Sequence, residues 1–326
     1  MTLAAAPIPA PLAAHVPPAE WALMQEDIAA IRDLKQARDA IILAHNYQTP
    51  DIYHGVADIV GDSLALAREA MSARASVIVV AGVHFMAETA KLLNPDKTVL
   101  IPDSRAGCSL AESITAADVR SLRARHPGLP VIAYVNTSAA VKAEVDYCCT
   151  SANARKVVEH AARAAGTDAV IMLPDRFLAA NTARETAIRI IAWDGACEVH
   201  ERFTAADIAQ VRRQHDGVAV LAHPECPEEV VAAADFAGST AALADYIARH
   251  RPARAALITE CSMADNIAAA SPGTTFVKPC NLCPHMKRIT LAGIRRALET
   301  MTEPVTIAPA LVAPARAAVE RMLAIP

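Results

Sequence analysis

Polar and sulfur-bearing residues return in the same phase three times along this 326-residue chain, and that recurrence constrains the fold more tightly than any other feature. The run "ILAHNY" leads to His45, "VIAYVN" to Tyr134 and "VLAHPE" to His223, at intervals of 89 residues. Some 17 or 18 residues after each comes a hydroxyl beside an expected helix start: Ser63 in "GDSLALA", Ser151 in "CTSANA" and Thr240 in "GSTAALA". The motifs "GVHFMAETA", "PDRFLAANTA" and "ECSMADNIA" follow, and each unit closes on a strand and a cysteine: Cys108, Cys197 and Cys283. Any βα array is periodic in hydrophobicity. That alone does not put polar side chains and cysteines in register three times.

Short apolar runs such as "SVIVVAG", "DAVIMLPD" and "RAALITE" read as strands buried on both faces of parallel sheets, with amphipathic helical stretches between them. Hydrophobic residues make up 53% of the chain and aromatics 4%, which suits an Ala/Val/Ile/Leu core of an α/β protein. The expected fold is therefore α/β, with three αβα units related by pseudo-threefold symmetry. Their bounds are read as 25–116, 117–204 and 205–285, with a helix over 286–300 packing back on the first unit and an extension over 301–326. Residues 1–24, rich in Ala and Pro, read as a disordered tail.

A net charge of −4 gives no ground for nucleic-acid binding, and no apolar run approaches the roughly 18 residues needed to span a bilayer. The N-terminus lacks the basic start of a secretory signal, so a cytoplasmic, reducing location is expected. In such a compartment the eight cysteines serve metals or catalysis more often than structural disulfides.

Ligands of parallel α/β sheets bind beyond the carboxyl ends of the strands, where all the phased residues fall. Three units around one axis bring three thiols together. Three are too few for closed structural zinc but suit a cubane iron–sulfur cluster with one iron left open as a Lewis acid. Ser63, Ser151 and Thr240 read either as helix caps or as marks of helix N-termini that bind a small, multiply anionic substrate.

At these residues the chain resembles the quinolinate synthase family, the A protein of bacterial NAD biosynthesis, over roughly residues 25–300. The markers are "AHNYQ", "DIVGDSLALA", "AGCSLAES", "YVNTSAAVKAEVD", "TSAN", "WDGACEVHE", "HPECP", "GST" and "CPHMKRITL". The resemblance implies a triangular protein with one [4Fe–4S] cluster on the pseudo-threefold axis, held by three cysteines. It also implies condensation of iminoaspartate (iminosuccinate) with dihydroxyacetone phosphate to quinolinate, phosphate and water, with L-aspartate oxidase as a transient supplier. The family's cluster ligands fall on Cys108, Cys197 and Cys283. Its iminosuccinate contacts fall on His45, Ser63, Tyr134, Val135, Asn136, Ser151, His223, Pro224, Glu225 and Thr240. By residue type, His223 and Glu225 are candidate general acids or bases, Tyr47 and Tyr134 candidate donors to carbonyl oxygens, and Asn136 a group to orient a carboxylate.

Lys287 and Arg288 read either as guides for anions or as ordinary surface charges. Cys148, Cys149, Cys226 and Cys261 read as packing thiols, and His285 as a neighbour of the site rather than a ligand. Cys280 reads as a loop spectator, or, from C-x-x-C motifs in some family members, as a disulfide partner of Cys283. Three competing readings remain: a zinc protein using the Cys280/Cys283 pair, a thiol-redox protein using the same pair, and a repeat scaffold without catalysis.

Overall fold

The computed structural model describes residues 7–13, 16–302 and 304–325. Among the described residues, twelve strands form three sheets. The first holds β1 (Ala40–His45), β2 (Ile59–Gly61), β3 (Val77–Ala81) and β4 (Thr98–Leu100); the second holds β5 (Val131–Tyr134), β6 (Tyr147–Cys149), β7 (Ala169–Leu173) and β8 (Arg189–Ala192). The third holds β9 (Ala219–Ala222), β10 (Phe236–Ala237), β11 (Arg254–Ile258) and β12 (Thr275–Val277). Within each sheet the order is second, first, third, fourth strand, and every pairing is parallel. The threefold α/β repeat expected from the phasing is the architecture of the chain.

The central strands read as they fold. "VIVVA" in β3 and "AVIML" in β7 are buried throughout, because helices cover both faces of each sheet. Each fully buried Val, Ile or Leu contributes roughly 1.5–3 kcal/mol. Register then delivers the marked residues to one end. His45 pairs with Gly61 at the last position of β1, and Tyr134 with Cys149 at the last position of β5. His223 follows β9 directly and donates its backbone N–H to Ile258 O of the neighbouring strand.

The Ala/Pro-rich start departs from the expected tail. Ala10–Ala13 is helical, a second helix begins at Pro18, and Leu12, Val16 and Trp21 are buried. Proline at a helix's first position needs no N–H partner, so a Pro-rich segment can open helices rather than break them. Residues 1–6, 14 and 15 lie outside the described residues. The helix Leu291–Thr300 packs on the helix Pro18–Ala37 of the first unit, where Arg295 pairs with Asp27 at 3.0 Å. The last helix, Pro309–Leu323, lies instead on β6 and the short helix Ala139–Lys142, burying Ala315, Ala318, Val319 and Met322. No helix among the described residues is long and apolar enough to cross a membrane.

Candidate active site

The three phased cysteines are set by one backbone device used three times. After the third strand of each sheet, a backbone N–H donates to a carbonyl two residues before the cysteine: His84 to Ala106 O (2.7 Å), Arg176 to Gly195 O (2.8 Å) and Cys261 to Asn281 O (3.4 Å). Glycine is required at one of these points. A Cβ on Gly195 would stand 2.5 Å from both Pro174 O and Ser113 Oγ.

The three arms are also tied to one another across the units. Ser109 Oγ, beside Cys108, donates to Ala196 O (3.3 Å) and accepts from Glu198 N (3.1 Å). Asn281 Nδ2 donates to Val199 O (3.3 Å), and His285 Nε2 meets Glu198 Oε1 at 2.9 Å. Cys108, Cys197 and Cys283 are all free thiols and all line one cavity. Burial raises all three above the ordinary thiol range, Cys108 to about 12, so each gives up its proton readily only in exchange for a metal. The other described free thiols, Cys148, Cys149 and Cys226, are buried elsewhere and do not line the cavity. Three sulfur donors, one from each unit, fit a cluster with an open iron better than a closed four-ligand metal site.

Beside Cys197 runs a buried chain of titratable groups. Tyr134 donates to Glu225 Oε1 at 2.5 Å, and His200 Nδ1 lies 2.8 Å from Glu225 Oε2 and 3.2 Å from Cys197 Sγ. His200 Nε2 is 2.9 Å from Thr259 Oγ1, which is 2.6 Å from Tyr47 OH. Burial alone would raise Glu225, but His200, His223 and the Tyr134 hydroxyl outweigh it and hold the carboxyl well below its usual range. Burial lowers His223 to about 3 and His45 to about 4, so both are neutral near pH 7. Burial, reinforced by Glu225, raises Tyr47 and Tyr134 far above their ordinary values, which keeps both as hydroxyl donors. Cys197, His200 and Glu225 also offer ligand atoms within 4.8 Å of one another, enough to hold one metal ion.

The hydroxyl residues are not the caps. Asp62 accepts from Ala65 N at 2.8 Å and Ser239 from Ala242 N at 3.3 Å, so the adjacent residue caps each helix. Ser63, Ser151 and Thr240 line the cavity instead. Ser151 Oγ is 3.3 Å from His223 Nε2, and Thr240 Oγ1 accepts from Asn46 Nδ2 at 2.9 Å. Asn136 also lines the cavity, and its Oδ1 is buried without a partner. Of the nominated contacts, Val135 and Pro224 fall outside. Val135 borders a small apolar pocket behind the site, and Pro224 an outer groove.

Two readings of the "CNLCPHMKR" segment are corrected. Cys280 is disulfide-bonded to Cys261, not to Cys283, and so is neither a spectator nor half of a local pair. The parallel bridge between Glu260 and Asn281 lays the two chains side by side, with the Cα atoms of Cys261 and Cys280 5.1 Å apart, within bridging range. Lys287 is neither an anion guide nor a free surface charge. Its ammonium lies 2.9 Å from the fully buried Glu260 carboxylate and donates to Tyr47 O (2.7 Å) and Ser262 Oγ (2.6 Å). Glu260 in turn accepts from Cys283 N at 3.4 Å, so the pair anchors the third cysteine beside Tyr47. Lys287→Met leaves that carboxylate buried and unpaired, at an expected cost of about 3 kcal/mol. Urea unfolding checks this against the exposed Arg288→Ala, expected within about 0.5 kcal/mol of the parent. A loss under about 1 kcal/mol for Lys287→Met would refute the anchoring role.

His200, Thr259 and Glu260 escaped the sequence reading. His200 stands three residues after Cys197 in "GACEVHE", and the matching places after Cys108 and Cys283 hold Ala111 and Met286, so phase gave no signal. Glu260 occupies the place of Asp175 in the third repeated motif, which is a readable sign.

Comparison with known proteins bears on all of this. Residues 29–324 match the family described as Quinolinate synthetase A protein. The chain is 68% identical over 308 residues to quinolinate synthase 1 of Mesorhizobium japonicum, covering 94% of each chain. It is 64% identical to quinolinate synthase of Agrobacterium fabrum, over 95% of this chain and 89% of that one. Against quinolinate synthase of Xylella fastidiosa it is 66% identical, over 92% of this chain and 87% of the relative.

Proposed function

This chain belongs to the quinolinate synthetase A protein family, and from that premise we propose that it is a quinolinate synthase of NAD biosynthesis, condensing iminoaspartate with dihydroxyacetone phosphate to give quinolinate, phosphate and water. The observation that carries the reading is the convergence of Cys108, Cys197 and Cys283, one per unit, on a cavity walled by Tyr47, Tyr134, His223 and Glu225. In this reading the three thiols hold a [4Fe–4S] cluster, which when bound supplies a Lewis-acid iron for the loss of water.

The protein's own part is binding and proton traffic. Ser63, Ser151 and Thr240, with Asn136 and the neutral His45, offer hydrogen bonds to the carboxylates of iminoaspartate. The buried Asn136 Oδ1, which lacks a protein partner, is an acceptor for the substrate's nitrogen or a hydroxyl. Glu225, ionised and bonded to the Tyr134 hydroxyl, is the general base, and Tyr134 returns the proton as acid. His200 and Thr259 connect that pair to Tyr47, so a proton taken at one end of this network can be delivered at the other. The burial of these groups keeps water from competing with the condensation. L-aspartate oxidase, the enzyme that would make the short-lived imine, is the proposed supplier.

Protein purified without oxygen is expected to be brown, with about four irons and four sulfides per chain, and to make quinolinate from the two substrates. A cluster-loaded sample that makes none would overturn the function. A single-metal reading rests on the Cys197, His200 and Glu225 grouping, and predicts instead a colourless protein with about one zinc and no sulfide.

A further inference from the structure

The repeat contains a second kind of equivalence, which the chemistry above leaves unused. Tyr47, Asn136 and Glu225 stand 89 residues apart, each two positions beyond the strand-end residues His45, Tyr134 and His223. In all three units the two backbone carbonyls flanking this residue are gripped by a single buried side chain. Asn266 Nδ2 donates to Asn46 O (3.0 Å) and Gln48 O (2.7 Å), on either side of Tyr47. Asn181 Nδ2 donates to Pro224 O (2.9 Å) and Cys226 O (3.0 Å), on either side of Glu225. Lys142 Nζ donates to Val135 O (2.8 Å) and to Thr137 O, on either side of Asn136.

Asn181 and Asn266 are themselves repeat equivalents, in "PDRFLAANTA" and "ECSMADNIA". Each reaches from its own unit into the next: the second unit grips the third, and the third grips the first. The equivalent residue of the first unit is Thr89 in "GVHFMAETA". Its hydroxyl is spent on Phe85 O of its own helix at 2.8 Å. Lys142, inside the second unit, supplies the missing grip. Lys142 is completely buried, and burial lowers its pKa. Asn181 and Asn266 leave their buried Oδ1 atoms without partners, so each amide is held in place by its donor end.

We propose that Asn266, Asn181 and Lys142 are positioning residues, each clamping the two carbonyls that flank one functional side chain and so aiming Tyr47, Glu225 and Asn136 into the cavity. The proposal rests on the functional reading above for what those three side chains do. A clamp of this kind suits the loops concerned, which leave the sheet where ladder hydrogen bonds end. Thr137 N donates to Val135 O at 2.8 Å, making Asn136 the centre of a three-residue turn that neighbouring strands do not hold.

The test is a pair of double-mutant cycles and one transplant, in cluster-loaded enzyme with iminoaspartate made in situ from oxaloacetate and ammonia. Asn181→Leu is expected to lower kcat about tenfold, but less than about twofold when Glu225 is already Gln. Lys142→Met is expected to raise KM for iminoaspartate about tenfold with kcat within about threefold, and to add under about twofold in Asn136→Ala. Adding Thr89→Asn to Lys142→Met moves the clamp to the first unit, where Asn181 and Asn266 have it in theirs. A small apolar pocket between Thr89 and Val135 leaves room for the longer side chain. Recovery of about half the lost affinity supports the proposal, because a side chain that merely filled space would not be rescued from another helix. Equal losses in the parent and in the Glu225→Gln or Asn136→Ala backgrounds would overturn it. If Lys142→Met fails to fold, the Asn181 cycle decides alone. Parent enzyme that carries its cluster but makes no quinolinate overturns the functional reading instead, a result separate from any of these.

Discussion

Glu225→Gln is expected to lower turnover by about 10²–10⁴-fold while the protein keeps its fold and its full iron and sulfide content. The side chains are nearly the same size, so the change isolates the charge. As a carboxylate, Glu225 accepts from Tyr134 through one oxygen and meets His200 Nδ1 through the other. As an amide it still accepts through one atom, but it turns a donor toward His200 and takes no proton from Tyr134. Burial then works against the variant, since the displaced donor has no water to turn to. Quinolinate formation in single-turnover and steady-state assays, with iron analysis on the same sample, separates lost chemistry from lost cofactor. Turnover within about tenfold of the parent would remove Glu225 from the role of base.

The second large effect is on the cofactor itself. Cys108→Ala, Cys197→Ala and Cys283→Ala should each leave two sulfur donors where three were needed, taking iron from about four to below one per chain and abolishing activity. Cys280→Ser and Cys148→Ala should keep the brown colour and the iron. Cys280 is tied to Cys261 on the loop exterior, and Cys148 is sealed inside β6. Iron and sulfide analysis with visible absorbance reads all five variants. A full cluster in Cys197→Ala would break the ligand set. Loss of the cluster in Cys280→Ser would restore the local pair that the disulfide to Cys261 argues against.

The fold and half of the candidate site could be read from residue order because both obey the same period. Strand runs, cysteines and the residues at 45, 134 and 223 share one phase, and symmetry about a common axis turns phase into proximity. What breaks the period stayed hidden. His200 has Ala111 and Met286 as its counterparts, and its partners Glu225 and Thr259 belong to another unit. Lys142 stands in for a grip that Thr89 does not make, a substitution that only three dimensions reveal. Lys287 looks like any basic residue in a string of charges until Glu260, 27 positions earlier, is seen beneath it. The helix caps failed for a simpler reason. Asp62 and Ser239 stand one residue before the nominated hydroxyls, and a neighbouring pair of small polar residues does not say which of the two takes the cap.

The placement of the helix Pro309–Leu323 bears on how the protein is made. Its inner face covers β6 and the Ala139–Lys142 helix, and Arg321 reaches Asp146 O, so the second unit borrows its outer layer from the far end of the chain. During synthesis at about 5–20 residues per second, the third unit can close around its own residues as they leave the ribosome, whereas the first also waits for the helix Leu291–Thr300. The second waits with an apolar face open until residues 309–323 emerge, although its own strands were finished more than a hundred residues earlier. The Lys142 segment therefore takes its final cover only after residues 309–323 have been made, well after the strands beside it.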